Sequence, residues 1–165
     1  MSNFLQFNSE KSITEFIGFN GPRICWIIAI LCMVDRIPYL AAFLIASYVN
    51  DEINKILKLI IREKRPENGQ SFSGEKYVGA HQYGMPSGHA QSVIFSVVFL
   101  YLVTRSPALL IVGCCIAALT IYQRFVSKKH TAGQLAVGAG VGVLVATGSF
   151  VIAKRAIPWI MKNRS

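Results

Sequence analysis

Residues 131–153 read TAGQLAVGAGVGVLVATGSFVIA, twenty-three positions without one charged side chain. A helix crosses a bilayer with about 20 mostly apolar residues, so this stretch is predicted to span a membrane. Gly138 and Gly142 within it stand four apart, a spacing that lets a second helix approach closely. The run Gly138-Ala139-Gly140-Val141-Gly142 is no dinucleotide fingerprint, because no strand precedes it and the glycine spacing is wrong.

Four further apolar stretches lie N-terminal to it, at about 13–34, 37–61, 88–103 and 108–125. Glu15, Gly18, Gly21, Pro22 and Arg23 interrupt the first, whose start is expected to lie at the membrane interface. Asp51, Glu52, Lys55 and Lys58 occupy the later half of the second and must face protein or water. The one long connection, 62–86, is too polar for hydrocarbon and reads as a lid or rim. The expected fold is all-α: a multi-pass transmembrane bundle of about five spans, one domain over 1–165, with a polar loop carrying part of the site.

Composition agrees. The chain of 165 residues is 53% hydrophobic and 15% charged, against roughly 25% charged in soluble domains. Its net charge of +9 is distributed between apolar runs rather than along one basic face, which argues against nucleic acid. Anionic lipid head groups and phosphate suit a basic rim on an apolar body. Cys25, Cys32, Cys114 and Cys115 have neither zinc nor redox spacing and are expected to be small core residues. Residues 1–11 lack the pattern of a cleaved signal peptide, so the first span is expected to act as the insertion signal. Neither a myristoylation glycine nor a prenylation cysteine is found.

Because successive spans alternate direction, five spans bring particular polar residues to one face: Lys58 and Arg65, Ser87 and His89, Arg124, and His130. Arginine supplies paired planar donors to phosphate oxygens and lysine a point charge. Met85-Pro86-Ser87-Gly88-His89 opens a helix, where free amides favour an anion and Gly88 lets it approach. His130 and Gln134 are four apart, so the amide oxygen can accept the Nδ1 proton and leave Nε2 free to attack phosphorus. Singly, each feature also has a plain structural reading: snorkelling for Lys58 and Arg65, a helix start for Pro86-Ser87-Gly88, an interfacial role for His130. His81, Glu67 and Glu75 are rim candidates or ordinary solvated loop residues.

Together, Lys58 with Arg65-Pro66, Pro86-Ser87-Gly88-His89, and Arg124 with His130 resemble the three-part signature of the type 2 phosphatidic acid phosphatase superfamily, in order and in internal spacing. The resemblance implies a helical membrane fold and hydrolysis of a phosphate ester or diphosphate without metal or other cofactor. It implies His130 as nucleophile and His89 as the proton donor that later activates water. Lys58, Arg65, Ser87, Gly88 and Arg124 would bind the phosphoryl oxygens.

Two positions depart from the usual pattern: Gln123 stands where serine is usual, and Gln134 where aspartate is usual. An amide holds a ring's orientation but stabilises an imidazolium less than a carboxylate does. The dolichyl diphosphatase branch is similar in having Gln there, and Asn50-Asp51, Asn54, Glu63, Tyr83-Gly84-Met85, Gln91 and Thr131 also look like that branch. Ser87-Gly88-His89 in place of Ser-Ser-His, and Lys128-Lys129, differ from it. The resemblance thus points to a polyprenyl diphosphate, with phosphatidic acid or phosphatidylglycerol phosphate as related alternatives. A second reading, from another class, is a catalytically silent lipid-phosphate-binding protein, for which Gln134 is the best support. A transporter is disfavoured by the apolar middles of the last three spans. If Gln134 only orients the ring, Gln134→Asp is expected to retain or raise turnover. Arg36, Arg105, Lys154, Arg155, Lys162 and Arg164 against Asp35 mark the opposite face as cytoplasmic. The site is then expected on the lumenal or exterior face of an endoplasmic-reticulum-type or plasma membrane.

Overall fold

A computed structural model of the chain describes residues 9–67 and 77–162, with side chains from Glu15 onward. Five long helices account for most of it: α1 (Ser9–Leu31), α2 (Ile37–Ile61), α3 (Gly88–Thr104), α4 (Pro107–Val126) and α5 (Ala132–Lys162), with a short 3₁₀ turn at Gly79–Gln82. Among the described residues the only strand-like pairing is an isolated bridge between Lys64 and Tyr83.

The helix ends follow from local chemistry. Ser87 caps α3 and Ser106 caps α4, each hydroxyl accepting an amide three residues on. Pro107 begins α4, where its missing N–H costs nothing. Arg62 and Arg105 close α2 and α3 in the left-handed conformation, with φ of 54° and 55°, and return their amides to Lys58 and Tyr101.

Three features differ from the sequence expectation. First, α1 is one unbroken helix through Gly18, Gly21 and Pro22. The two glycines lie where α1 meets α4, since a Cβ at Gly18 would strike Gln123 and one at Gly21 would strike Thr120. What reads as interruption is a contact face. Second, α5 continues past Ala153, where the apolar run ends, to Lys162, so Lys154 and Arg155 lie on the helix. Third, Cys114 and Cys115 are exposed on α4, while Cys25 is buried. A bundle with lipid outside places apolar residues outward at no cost, so an apolar run does not say which of its residues face the core.

The centre of the bundle is α3, which packs against each of the other four helices. Phe43 of α2 stacks on Phe95 at 5.6 Å and meets Phe99 at 5.5 Å, and Ala29, Met33 and Ala146 close the same core. Outside, large apolar side chains point away from the protein: Ile45 is 67% exposed, Leu144 73% and Ile152 68%. Such surface is stable against hydrocarbon and not against water. Two helices, α4 and α5, are individually long and apolar enough to cross a membrane, with mean hydropathies of 1.9 and 2.1. The apolar α3 is shorter, with 17 residues. Charges in α2 gather at its site end. The protein is an all-α bundle of the transmembrane type.

The glycine pair of α5 lies against the backbone of α3. A Cβ at Gly142 would sit 3.1 Å from Phe95 N and closer still to Gln91 O, whereas one at Gly140 would meet nothing within 4 Å. Gly142→Ala is therefore expected to destabilise by about 1–3 kcal/mol through overpacking against backbone. Gly140→Ala should be neutral or stabilising by up to about 1 kcal/mol, from helix propensity alone. Thermal unfolding of the two variants in detergent gives the comparison; equal midpoints would deny the close α3–α5 contact.

Candidate active site

The last turn of α2 carries Lys58, which is buried and donates from Nζ to Tyr83 O at 2.8 Å. Beyond Arg62 the chain runs extended, and Gly84 N donates to Glu63 O at 2.7 Å beside the Lys64–Tyr83 bridge. This pairing lays residues 63–65 along 83–84 and so brings the two ends of the long connection together. Arg65 then reaches inward. Its Nε and Nη2 donate to His81 O at 3.1 and 3.0 Å, and its Nη1 to Lys129 O at 3.1 Å. Its guanidinium lies 4.0 Å from the centre of the Tyr77 ring.

The start of α3 is fixed from two sides. Ser87 N donates to Gln134 O at 3.0 Å, tying it to α5. On the other side, Asn54 Nδ2 donates to Gln91 Oε1 at 2.7 Å and to Pro86 O at 3.3 Å, while Gln91 Nε2 donates to Asn50 O at 2.7 Å and Asn50 Oδ1 at 3.0 Å. This buried amide ladder locks α2 to α3. Such groups are costly to leave without partners, by roughly 1–3 kcal/mol each.

His89 faces Arg124, with Nε2 against the guanidinium Nη2. Guanidinium only donates, so Nε2 presents its lone pair. The Phe19 ring of α1 covers both, 5.9 Å from the His89 ring and 5.1 Å from the Arg124 guanidinium carbon.

The turn between α4 and α5 holds His130, 4% exposed. Its Nδ1 lies 3.0 Å from Gly84 O and 3.2 Å from Gln134 Oε1. A peptide carbonyl can only accept, so Nδ1 carries the proton. The other nitrogen, Nε2, is a lone pair 3.1 Å from Arg65 Nη1. Burial, then the neighbouring Arg65 and Lys58 cations, push the His130 imidazole down to about 3. The ring is neutral at physiological pH.

These groups line one cavity of about 570 Å³, whose walls include Lys58, Arg65, Gly88, His89, Arg124 and His130. Three cations, a helix N-terminus and two imidazoles facing one space suit a tetrahedral anion. Of the catalytic and phosphate-binding residues expected from the sequence, two are not on the wall. Ser87 is wholly buried, its hydroxyl accepting from Ala90 N, and Gln134 lies behind His130. His81 is at the rim and gives its carbonyl to Arg65; burial, then Lys58 and Lys55, lower its imidazole. Glu67 is exposed and away from the wall, and Glu75 is outside the described residues.

Sequence reasoning missed the part α1 plays. Phe19 and Arg23 line the cavity, as do Lys55 and Tyr77. The available signal was Arg23, a charge inside an apolar helix, which marks a water-filled site by default.

The sequence matches the description PAP2 superfamily over residues 35–158. It is 29% identical over 140 residues to Dolichyldiphosphatase 1 of Mus musculus, a match covering 75% of this chain and 57% of that protein. It is 34% identical over 108 residues to Lipid phosphate phosphatase epsilon 1, chloroplastic, of Arabidopsis thaliana, covering 61% of this chain and 36% of that protein. The chain thus spans little more than half the length of the first of these relatives. In structure it is similar to a transmembrane PAP2 type phosphatidylglycerolphosphate phosphatase from Bacillus subtilis, with a TM-score of 0.55, 17% identity, and coverage of 94% of this chain and 90% of that one.

Proposed function

This chain belongs to the PAP2 superfamily, and from that premise we propose that it is a membrane lipid phosphatase that hydrolyses a polyprenyl, dolichyl-type diphosphate to the monophosphate through a phosphohistidine. The observation that carries the reading is the state of His130. Its Nδ1 proton is committed to Gly84 O and Gln134 Oε1, which leaves a neutral Nε2 lone pair facing a cationic cavity.

In the proposed reaction the terminal phosphate enters between Lys58, Arg65 and Arg124, near the amides at the start of α3. Nε2 of His130 attacks phosphorus, the bond to the bridging oxygen breaks, and His89, which takes up a proton at Nε2 from the entering phosphate as it turns from Arg124, passes that proton to the leaving oxygen. A water then loses a proton to His89 and attacks phosphorus, breaking the P–N bond and releasing inorganic phosphate. Arg and Lys donors take the developing charge, which is the main demand of phosphoryl transfer. No metal is required by this scheme.

Preference for the diphosphate rests on Gln134 with Asn50, Asn54, Glu63 and Gln91, and on the likeness to a dolichyldiphosphatase. Phosphatidic acid and phosphatidylglycerol phosphate are the competing substrates, the second motivated by the similar Bacillus subtilis structure. Basic residues at the far end, among them Arg36, Arg105, Lys154 and Arg155, support placing that end in the cytoplasm and the site on the lumenal or exterior side.

The test is phosphate release by purified protein in detergent with chelator present, from each of the three lipids. The expected result is a kcat/KM at least about tenfold higher for the polyprenyl diphosphate, equivalent to roughly 1.4 kcal/mol in barrier. A higher value for phosphatidic acid or phosphatidylglycerol phosphate would reassign the substrate. Silence on all three, with phosphate still bound, would make the protein a lipid-phosphate binder instead.

A further inference from the structure

The side chain behind the nucleophile is itself held by a carboxylate. Gln134 Nε2 donates to Glu63 Oε1 at 2.8 Å and to Lys64 O at 2.9 Å. Those two acceptors use both amide hydrogens and fix which way the amide points. Its Oε1 must therefore face His130 Nδ1 at 3.2 Å and Thr131 N at 3.2 Å. His130, Gln134 and Glu63 form one chain in which each member donates to the next, and it ends on an anion.

We infer that Glu63 is a positioning residue for the reaction proposed above: its negative charge acts on His130 through the Gln134 amide. An anion accepting from Nε2 draws the amide's electron density toward Oε1, which makes Oε1 a stronger acceptor for the imidazole N–H. As Nε2 becomes bonded to phosphorus, positive charge builds on the ring, and the polarised amide stabilises it. Gln134 therefore does not leave His130 without a carboxylate; it places that carboxylate one side chain further away. The charged side chains that act on His130 otherwise, Arg65 and Lys58, are cationic and oppose this charge.

The consequence for Gln134 reverses what spacing alone suggests. In Gln134→Glu, replacing Nε2 by oxygen removes both donors and sets two carboxylates against each other at the Glu63 contact. Gln134→Asp, expected from the four-residue offset to retain turnover, is one methylene shorter and gives up both donors, so it is now expected to lose turnover by leaving Glu63 and Lys64 O without their partner.

The decisive experiment exchanges the two groups using isosteric side chains. Glu63→Gln keeps an acceptor for Gln134 and removes only the charge. Its kcat is expected to fall roughly five- to tenfold with KM within about twofold, the difference between a charged and a neutral hydrogen-bond partner. Gln134→Glu alone is expected to fall at least about tenfold. The double variant restores a carboxylate and an amide in contact, in reversed order, but leaves Lys64 O facing an oxygen, so it should recover at least about threefold over Gln134→Glu alone without reaching wild type.

A second readout does not need turnover: the proton resonance of His130 Nδ1–H in detergent, by histidine-selective 15N labelling. It is expected to move upfield in Glu63→Gln and back downfield in the double variant. The inference is overturned if Glu63→Gln keeps both wild-type kcat and wild-type resonance, or if the double variant is no better than its worse parent in both measurements. Should the wild type release no phosphate from any lipid while the resonance follows the exchange, the relay stands and the phosphatase reading falls. An active wild type indifferent to Glu63 in both measurements removes the relay and leaves that reading intact.

Discussion

Replacing His130 with alanine is expected to reduce phosphate release by roughly four to six orders of magnitude, the scale of removing a covalent nucleophile. No neighbouring group can substitute for it. His89 Nε2 is turned to Arg124, and the other groups near His130 Nε2 are cations without a lone pair. Phosphate affinity should change far less, because Lys58, Arg65, Arg124 and the start of α3 remain. The fold should persist as well. Gln134 Oε1 keeps the Thr131 amide as a donor and Arg65 Nη1 keeps Lys129 O, so the loss falls mainly on Gly84 O. Three measurements separate the effects: initial rate in detergent, phosphate binding by calorimetry, and thermal midpoint. A radiolabelled phosphoenzyme that is stable in base and labile in acid should form with wild type and be missing in His130→Ala. Retention of more than about one hundredth of the wild-type rate, a barrier change under roughly 2.7 kcal/mol, would remove His130 from the role of nucleophile.

How far the sequence predicts this arrangement depends on the range over which each residue acts. The spans of α4 and α5 follow from uninterrupted apolar runs, and the convergence of Lys58, His89, Arg124 and His130 follows from counting helix reversals. The cavity contains all four. Other residues are placed by contacts that no local pattern encodes. Gly18 and Gly21 look like helix breaks until α4 lies against them. Phe19 enters the site only because that contact sets the rotation of α1. Ser87 has the spacing of a phosphate ligand, yet its hydroxyl caps α3 and is buried. Glu63 and Gln134 are 71 positions apart, and neither shows in sequence that it touches the other.

The same range of action explains the buried amides. Asn50, Asn54 and Gln91 attract notice in the sequence through their likeness to one enzyme branch, with no chemistry attached. In the fold they are a brace: Asn54 holds Pro86 O, and through it the turn that presents Gly88 and His89. A low-dielectric setting makes such a brace stiff, because every unmade bond is expensive. In the proposed reaction that stiffness would serve the site directly, since donors aimed at a transition state gain most when they need no rearrangement.

Arg65→Lys is expected to lower kcat/KM by roughly 10²–10³, the range for losing a preorganised donor to a developing anion, although the formal charge is unchanged. The guanidinium performs several tasks at once. Nε and Nη2 grip His81 O, Nη1 bridges Lys129 O and His130 Nε2, and the planar face rests on Tyr77. A lysine ammonium is a single point with rotatable donors and cannot span two carbonyls while stacking. Both kinetic parameters should therefore move. KM is expected to rise because the 77–83 segment loses its anchor to the turn that carries His130, and kcat to fall because Nη1 no longer stands beside His130 Nε2. Lys58→Arg is the instructive contrast. Lys58 donates to Tyr83 O from a buried position at the end of α2. A larger guanidinium there must displace packed neighbours, so its effect should appear first in thermal stability, by about 1–3 kcal/mol. Side-by-side Michaelis curves and unfolding midpoints for the two variants decide whether the cavity requires charge alone or this particular fork. If Arg65→Lys retained wild-type kcat/KM, the fork would be dispensable and Arg65 would reduce to a general source of positive potential.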